Sequence, residues 1–387
     1  MPIVNRVAAF HEDMTAWRHR LHAAPELAFR EHATADFVAE QLAAFGIAVD
    51  RGLAGTGVVG TLRNGDGPAI GLRADMDALP ILEANGFAHA SATPGVMHAC
   101  GHDGHTAMLL GGARYLAETR NFRGTVHFIF QPAEEGEGGG RRMIEEGLFE
   151  RFPVEQVWGM HNWPGMPVGS FGVREGAMMA SSDSWEMVVT GRGGHAAMPD
   201  TCTDPVVVAA QIVTALQGIV SRNLHPVDAG VVSVTQVHAG DAFNVIPAEV
   251  VLRGTARSFR PETRDRIERR MGEIAQGIAA AGECTVRFDY DRRYPPTINA
   301  AAQARVAGDV AATIVGEAQV DRDVTPTMGG EDFAFMLERK PGAYLFVGNG
   351  SADDGRVLHS PSYDFNDAIL PIGASYWVKL VEHVLPA

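Results

Sequence analysis

The sequence predicts an α/β protein: a mostly parallel sheet with flanking helices, interrupted by an inserted α+β domain of ferredoxin-like order. Three observations predict it. Short apolar runs bounded by glycine alternate with segments of helical spacing over the first ~180 residues. Residues 182–295 change rhythm and read strand–helix–strand–strand–helix–strand. The 387 residues include 44 glycines, which suits many tight corners between strands and helices. At ~150 residues per domain, the length allows two to three domains, or one large domain with an insertion.

Met14, Trp17 and Leu21, then Phe37, Val38, Leu42 and Phe45, recur at helical spacing, with Gly46 as a C-cap. Apolar runs at 57–62 and 69–72 predict short strands. Residues 106–116 predict a helix, and 125–130 (TVHFIF) and 154–160 (VEQVWGM) buried strands. In the insertion, 184–190, 231–237, 250–256 and 285–289 predict strands. Its helices are 204–220, apolar at Val207, Ala210, Ile212, Leu216 and Val220, and 261–281, opened by Pro261. Beyond Tyr294-Pro295-Pro296, a helix at 300–315 and a strand at 343–347 resume the first domain. The expected domains are 1–181, 182–295 and 296–387, the middle one a unit of about 110 residues. No internal repeat of fixed period is seen.

Apolar residues at 46% and charged residues at 20% exclude collagen-like and fully disordered chains. A net charge of −15 repels phosphate backbones and anionic lipid, which argues against nucleic-acid and membrane partners. No apolar run approaches the ~18–20 residues of a membrane span. The first residues turn acidic and polar too early for a secretory signal. Cys100, Cys202 and Cys284 cannot all pair with one another and lie far apart, so a reduced, cytoplasmic chain is expected.

The densest chemical cluster is Met97-His98-Ala99-Cys100-Gly101-His102-Asp103-Gly104-His105. Cys100 and His102 are two apart, so on extended backbone both point the same way, and thiolate and imidazole both suit a borderline-soft divalent metal. The same run is compatible with a polar loop around a buried free cysteine. Gln131-Pro132-Ala133-Glu134-Glu135-Gly136-Glu137 directly follows the TVHFIF strand. In an open α/β sheet ligands bind beyond the carboxyl ends of the strands. Of two adjacent glutamates there, one can bind a metal while the other reaches a water; an acidic surface loop is the alternative. VEQVWGM ends at His161, and the strand at 343–347 leads through a polar loop to His359. Cys100/His102, Glu134/Glu135, His161 and His359 all fall after predicted strands, so one sheet edge gathers them. Five candidate ligands exceed a structural zinc site and imply two metals, which sit about 3.5–4 Å apart in such sites. In GLRADMDALP, Asp75 or Asp77 can orient a histidine ligand, or else form a loop salt bridge with Arg73. In the insertion, His195, Asn244 and Arg257 together suit an oxyanion and a carboxylate, although Arg257 also reads as a surface arginine.

In order along the chain stand GLRADMDALP, MHACGHDGH, QPAEEGEGG, GMHNWPG, GRGGHAAMP, NVIP, GTARSF and MGGEDFAF. From roughly residue 14 to residue 380 the sequence resembles the M20 metallopeptidase clan, specifically the branch of N-acyl-amino-acid, hippurate and auxin-conjugate hydrolases. The resemblance implies a catalytic domain of the zinc-exopeptidase type and a ferredoxin-like lid, with opening and closing between them. It implies a homodimer or dimer of dimers through the lid. It also implies the metal ligands Cys100, His102, Glu135, His161 and His359, with Cys100 where other branches use a bridging aspartate. Glu134 matches the general base and Asp75 the supporting aspartate. His195 matches the lid histidine that reaches the neighbouring subunit's site. Asn244 and Arg257 match positions that hold the substrate carboxylate. The implied cofactors are two divalent ions (Zn2+, Mn2+, Co2+ or Ni2+), and the implied substrate is a small N-acyl amino acid. Gly329-Gly330-Glu331-Asp332 matches a family motif and reads as a structural loop or as one that supports the site from behind its ligands. Two rivals remain: a cysteine amidase with Cys100 as nucleophile and His102 as base, which would survive chelation, and a non-catalytic metal-binding module.

Overall fold

The computed structural model describes residues 4–353 and 355–387. Among these, the chain divides into two compact units, one of Met1–Met178, Ile298–Thr325 and Asp332–Ala387, the other of Met179–Thr297 and Pro326–Glu331.

The first unit is built on a sheet of eight strands among the described residues. Their order is Ala48–Leu53, Gly57–Asn64, Gly124–Gln131, Ala69–Asp75, Gln156–Pro164, Gly342–Gly350, Phe171–Gly172 and Val320–Asp321. The central strands Gly124–Gln131, Ala69–Asp75, Gln156–Pro164 and Gly342–Gly350 run parallel, and antiparallel pairs flank them. Gly124–Gln131 and Gly342–Gly350 are buried along their whole length. That is the mark of a parallel strand covered on both faces, and it explains why their sequences are continuous apolar runs. The helix His102–Thr119 packs against the helices His11–Ala23 and Leu370–Val384. Gly104 permits the close approach of Phe365, whose ring occupies the space a Cβ would need. The parallel strands end at one edge of the sheet, and the loops leaving that edge carry the site.

Three expectations change in detail. The first ~45 residues form the helices Asn5–Ala8, His11–Ala23 and His32–Ala44 rather than one continuous helical region. The helix expected at 106–116 begins earlier, at His102, because its first turn is polar and carries no apolar period. Consequently Cys100 and His102 do not share an extended strand. Cys100 ends a loop, Gly101 turns the chain at φ +98°, and His102 opens the helix. The left-handed turn needs glycine, and it replaces the two-residue alternation inferred from spacing.

The second unit has the strands Ser182–Thr190, Gly230–Ala239, Glu249–Ser258 and Thr285–Tyr294 and the helices Pro205–Leu216 and Pro261–Ala281. The sheet order is Gly230–Ala239, Glu249–Ser258, Ser182–Thr190, Thr285–Tyr294, with every pair antiparallel. This is the ferredoxin-like order that the strand–helix rhythm predicts. Trp185, Met187 and Val189 alternate inward against Val208, Ile212 and Leu216 of one helix and Ile267, Met271 and Ala275 of the other. The helix expected to reach residue 220 ends at Leu216 and gives way to a π-helical turn at Ile219–Asn223. No helix among the described residues is long and apolar enough to cross a membrane.

Candidate active site

In the first unit, three loops, the start of the helix His102–Thr119 and the end of the strand Gln156–Pro164 bring the chemical side chains together. Cys100 Sγ lies 3.3 Å from His161 Nε2. Cys100, His102 and His161 offer ligand atoms within 4.8 Å of one another, and so do Cys100, Glu135 and His359. The sulfur is therefore common to two donor sets. Glu134 joins His102 and Glu135 within the same limit. His359 Nε2 stands 3.3 Å from Glu135 Oε1, and its own backbone N–H donates to Ala99 O, which fastens the 351–366 loop beside Cys100.

Asp77 organises this group. Its carboxylate accepts the backbone N–H of Glu134 at 3.0 Å and of Glu135 at 2.9 Å, and its Oδ1 lies 3.3 Å from His102 Nδ1. His102 Nε2 on the far side of the ring stands 4.0 Å from Glu135 Oε1, the arrangement in which a carboxylate behind an imidazole orients it towards a metal. Asp75 is held elsewhere. Arg73 Nη1 donates to it at 2.7 Å and His105 Nδ1 meets it at 2.6 Å, whereas its distance to His102 Nε2 is 3.7 Å. Of the two aspartates in GLRADMDALP, Asp77 stands behind the His102 ring, whereas Asp75, matched above to the supporting aspartate, pairs with Arg73 and His105. The sequence reading passed over His105, which also meets Asn162 Oδ1 at 2.7 Å, and Asn162, which donates to Tyr363 Oη at 2.6 Å. A signal for His105 was present, since it follows His102 by one helical turn.

The electrostatics show what the group lacks. Asp75, Asp77 and Glu134 are buried, and Glu135 is nearly so. Burial and the neighbouring Glu135, Glu134 and Asp75 push the Cys100 thiol far up. Burial opposes a charge on His102, but Asp75, Asp77 and Glu135 overcome it and hold the imidazole up at about 10. Burial, together with His105 and His102, drives His161 well below the usual histidine range. Glu135 is held low despite its burial by His359 and His102. Among the described residues, His102 Nε2 is buried without a hydrogen-bond partner. Orphaned buried donors and acceptors are costly unless a ligand satisfies them. Thiol, imidazole and carboxylate form the mixed N/S/O set that divalent metals of intermediate softness take. The residues fit a divalent metal cofactor.

His195, Asn244 and Arg257 lie in the second unit. His195 and Asn244 are neighbours: His195 pairs with Val245, and Ala196 N donates to Asn244 O at 3.0 Å. The Ala197 backbone N–H donates to His195 Nδ1 at 3.1 Å, so the neutral ring keeps its proton on Nε2 and is a donor there. Arg257 is half-buried. Its Nη1 donates to Thr255 Oγ1, Ala256 O and Asp183 O. Burial lowers its pKa, which is not the setting of a solvated surface arginine.

The sequence profile of the family described as Peptidase family M20/M25/M40 matches residues 71–383. The chain is 43% identical over 384 residues to a hippurate hydrolase of Campylobacter jejuni, covering 98% of each chain. It is 39% identical over 380 residues to an N-acetylcysteine deacetylase of Bacillus subtilis, covering 97% of this chain and 98% of the relative. Among solved structures it is similar to a dinuclear metal-binding peptidase of the M20 family from Bacillus subtilis, with a TM-score of 0.86 at 36% identity, covering 98% of this chain and 99% of the other.

Metal binding must displace the protons that the metal-free site holds on Cys100 and His102, both raised above neutrality. Each displaced proton steepens affinity about tenfold per pH unit. Titration of the metal-stripped protein with Zn2+ therefore shows tighter binding at pH 8 than at pH 6, with proton release visible as buffer-dependent heat. Affinity that is flat between those pH values would remove the thiol and imidazole from the donor set.

Proposed function

We propose that this chain, which belongs to the peptidase family M20/M25/M40 and to its amidohydrolase branch, hydrolyses N-acyl amino acids to a carboxylic acid and a free amino acid. The observation that carries this reading is Cys100 Sγ common to two donor sets, with the Glu134 carboxylate beside His102 and Glu135. Cys100, His102, Glu135, His161 and His359 are the proposed ligands of two divalent ions. Zn2+, Mn2+, Co2+ or Ni2+ all suit the set. When bound, such ions supply Lewis acidity to a scissile carbonyl and lower the pKa of a water from ~15.7 towards ~7.

The chain's own groups do the rest. Glu134 accepts the proton of the attacking water and hands it to the leaving nitrogen. His195 donates from Nε2 to the tetrahedral oxyanion. Arg257 and Asn244 hold the free carboxylate beside the scissile nitrogen. Asp77 fixes the backbone of both glutamates and the ring of His102, and Asp75 holds His105. Residues 1–181 and 296–387 are assigned to the catalytic domain and 182–295 to the lid. A homodimer through the lid is supported by the outer strand Gly230–Ala239. It carries no Asp, Glu, Lys or Arg, whereas the opposite edge, Thr285–Tyr294, carries Arg287, Asp289, Asp291, Arg292 and Arg293. Charged edges resist pairing and uncharged ones invite it. The free cysteines suit a reducing, cytoplasmic compartment.

The cysteine amidase reading gains one contact and loses the chemistry. The imidazole nearest the sulfur is that of His161, but burial and the neighbouring Glu135, Glu134 and Asp75 push the thiol up. The thiolate is the nucleophile in such enzymes. Chelation that leaves hydrolysis intact would favour that reading.

Glu134→Gln keeps its metal and lowers kcat on acetyl- or benzoyl-amino acids by about 10²–10⁴-fold. A variant within tenfold of the parent rejects the base assignment. Arg257→Ala raises KM about 10- to 100-fold for substrates with a free carboxylate, as befits one charge-assisted hydrogen bond of ~1.5–3 kcal/mol. An equal effect on the corresponding amino amides would reject that role. His195→Ala alone cripples turnover, and mixed dimers with Glu134→Gln chains regain it. Verified mixed dimers that stay inactive argue for a site completed within one chain.

A further inference from the structure

The motif Gly329-Gly330-Glu331-Asp332 supplied no chemistry when read as sequence. In the first unit, Asp332 is fully buried, and its carboxylate takes three N–H donors. Oδ1 accepts from Gln131 Nε2 at 2.7 Å and from Arg73 Nη2 at 3.1 Å, and Oδ2 accepts from the Gly140 backbone at 2.8 Å. Gln131 ends the strand Gly124–Gln131, and Gly140 lies in the first turn of the helix Gly139–Glu145. Between them runs the loop that holds Glu134 and Glu135. Asp332 therefore grips both ends of that loop. Its own backbone N–H points at Glu134 Oε1 from 3.4 Å.

We propose that Asp332 is a positioning residue for Glu134: its side chain staples the two ends of the 132–138 loop, and its backbone N–H fixes one oxygen of the Glu134 carboxylate. The proposal rests on the reading of Glu134 as the proton carrier.

Two features show that the loop is held rather than relaxed. Ala133 adopts φ +57°, a left-handed conformation that a residue with a side chain rarely enters unless its surroundings enforce it. At Gly140 a Cβ would lie 3.0 Å from Gln131 Oε1 and 3.2 Å from Asp332 Oδ2, so the backbone approaches the carboxylate as closely as it does because no side chain intervenes. A carboxylate is also the group that the arrangement requires. Three donors converge on two oxygens, and an amide in the same place would turn an NH2 towards one of them. The far side of the clamp reaches the other half of the site. Arg73 bonds Gln131 Oε1 at 2.9 Å and Asp75 at 2.7 Å, so one buried guanidinium links the staple to the carboxylate that meets His105.

The test uses full-length, metal-loaded Asp332→Asn, Glu134→Gln and the double variant, on an N-acyl amino acid that the parent hydrolyses. Asp332→Asn is expected to lower kcat about 10- to 100-fold, the scale of a small misplacement of a catalytic group. KM stays within about threefold, because substrate contacts are untouched. Metal content stays at the parent's value. In the Glu134→Gln background the same change costs less than about threefold more, since a residue that acts through Glu134 has nothing left to position. Multiplicative losses in the double variant, or a loss of metal that accounts for the fall, make Asp332 a general structural residue and overturn the proposal. So does a kcat within about threefold of the parent. Should Asp332→Asn fail to fold, Gly140→Ala presses a Cβ on the same contact with no change of charge, and the same criteria apply. A metal-loaded parent that cleaves nothing on an N-acyl panel would instead sink the hydrolase reading, and the positioning role with it.

Discussion

The site depends on buried negative charge that the polypeptide does not neutralise by itself. Glu135, Glu134 and Asp75 act on Cys100 and Asp77 stands behind His102, with Arg73, His102, His105 and His359 as the nearby groups that can carry positive charge. Carboxylates taken out of water at this density are tolerated only with cations among them. Burial and the carboxylates push the Cys100 thiol up, and Asp75, Asp77 and Glu135 hold the His102 imidazole up against its burial. A divalent cation in such a donor set competes with protons, so its binding and native stability are coupled.

The sheet explains why such an arrangement can be built. Asp75, Gln131 and the 161–164 segment stand at the carboxyl ends of neighbouring parallel strands, where side chains from distant sequence meet over a rigid base. Asp77 then links loops that have no register in common. It reaches the backbone of Glu134 and Glu135 on one side and the ring of His102 on the other. The orientation of three side chains is fixed by one carboxylate, whose own position is inherited from the strand two residues before it. Both glutamates are anchored through their backbone N–H groups, so their remaining freedom is that of their own side-chain torsions.

What the sequence made legible follows from the same physics. Cysteine, histidine and paired glutamates beside apolar runs are rare enough to stand out, and the strand pattern puts Glu134/Glu135 and His161 at one edge. The ferredoxin-like unit was legible because its strands alternate and its helices are amphipathic, so each segment announces its own period. The geometry of Cys100 and His102 was not, because one glycine at φ +98° replaces an extended turn with a helix start, and composition does not distinguish the two. Asp77 and Asp75 could not be assigned their separate duties, since the choice between them lies in whether a carboxylate 3.3 Å or 3.7 Å away faces Nδ1 or Nε2 of one ring. Asp332 was hidden for a further reason. Its partners Arg73, Gln131 and Gly140 are 259, 201 and 192 residues away, and no local pattern encodes such a meeting.

The division of labour between the two units has a chemical logic. The groups of the first unit that would face metal are acidic or soft and are locked by buried bonds. His195, Asn244 and Arg257 in the second unit are polar or basic, and His195 and Asn244 are exposed. An anionic substrate is repelled by a pocket of carboxylates unless cations occupy it, and it is attracted by a basic residue outside it. Arg257 is the half-buried basic group among the three, and the proposed function gives it the substrate's free carboxylate for that reason. His195 accepts the Ala197 N–H at Nδ1, which leaves Nε2 as the ring's donor atom, and the proposed function aims that donor at the tetrahedral oxyanion. A donor that engages mainly as charge develops raises turnover rather than affinity, so on that proposal selectivity for the carboxylate and acceleration of the amide step fall on different side chains.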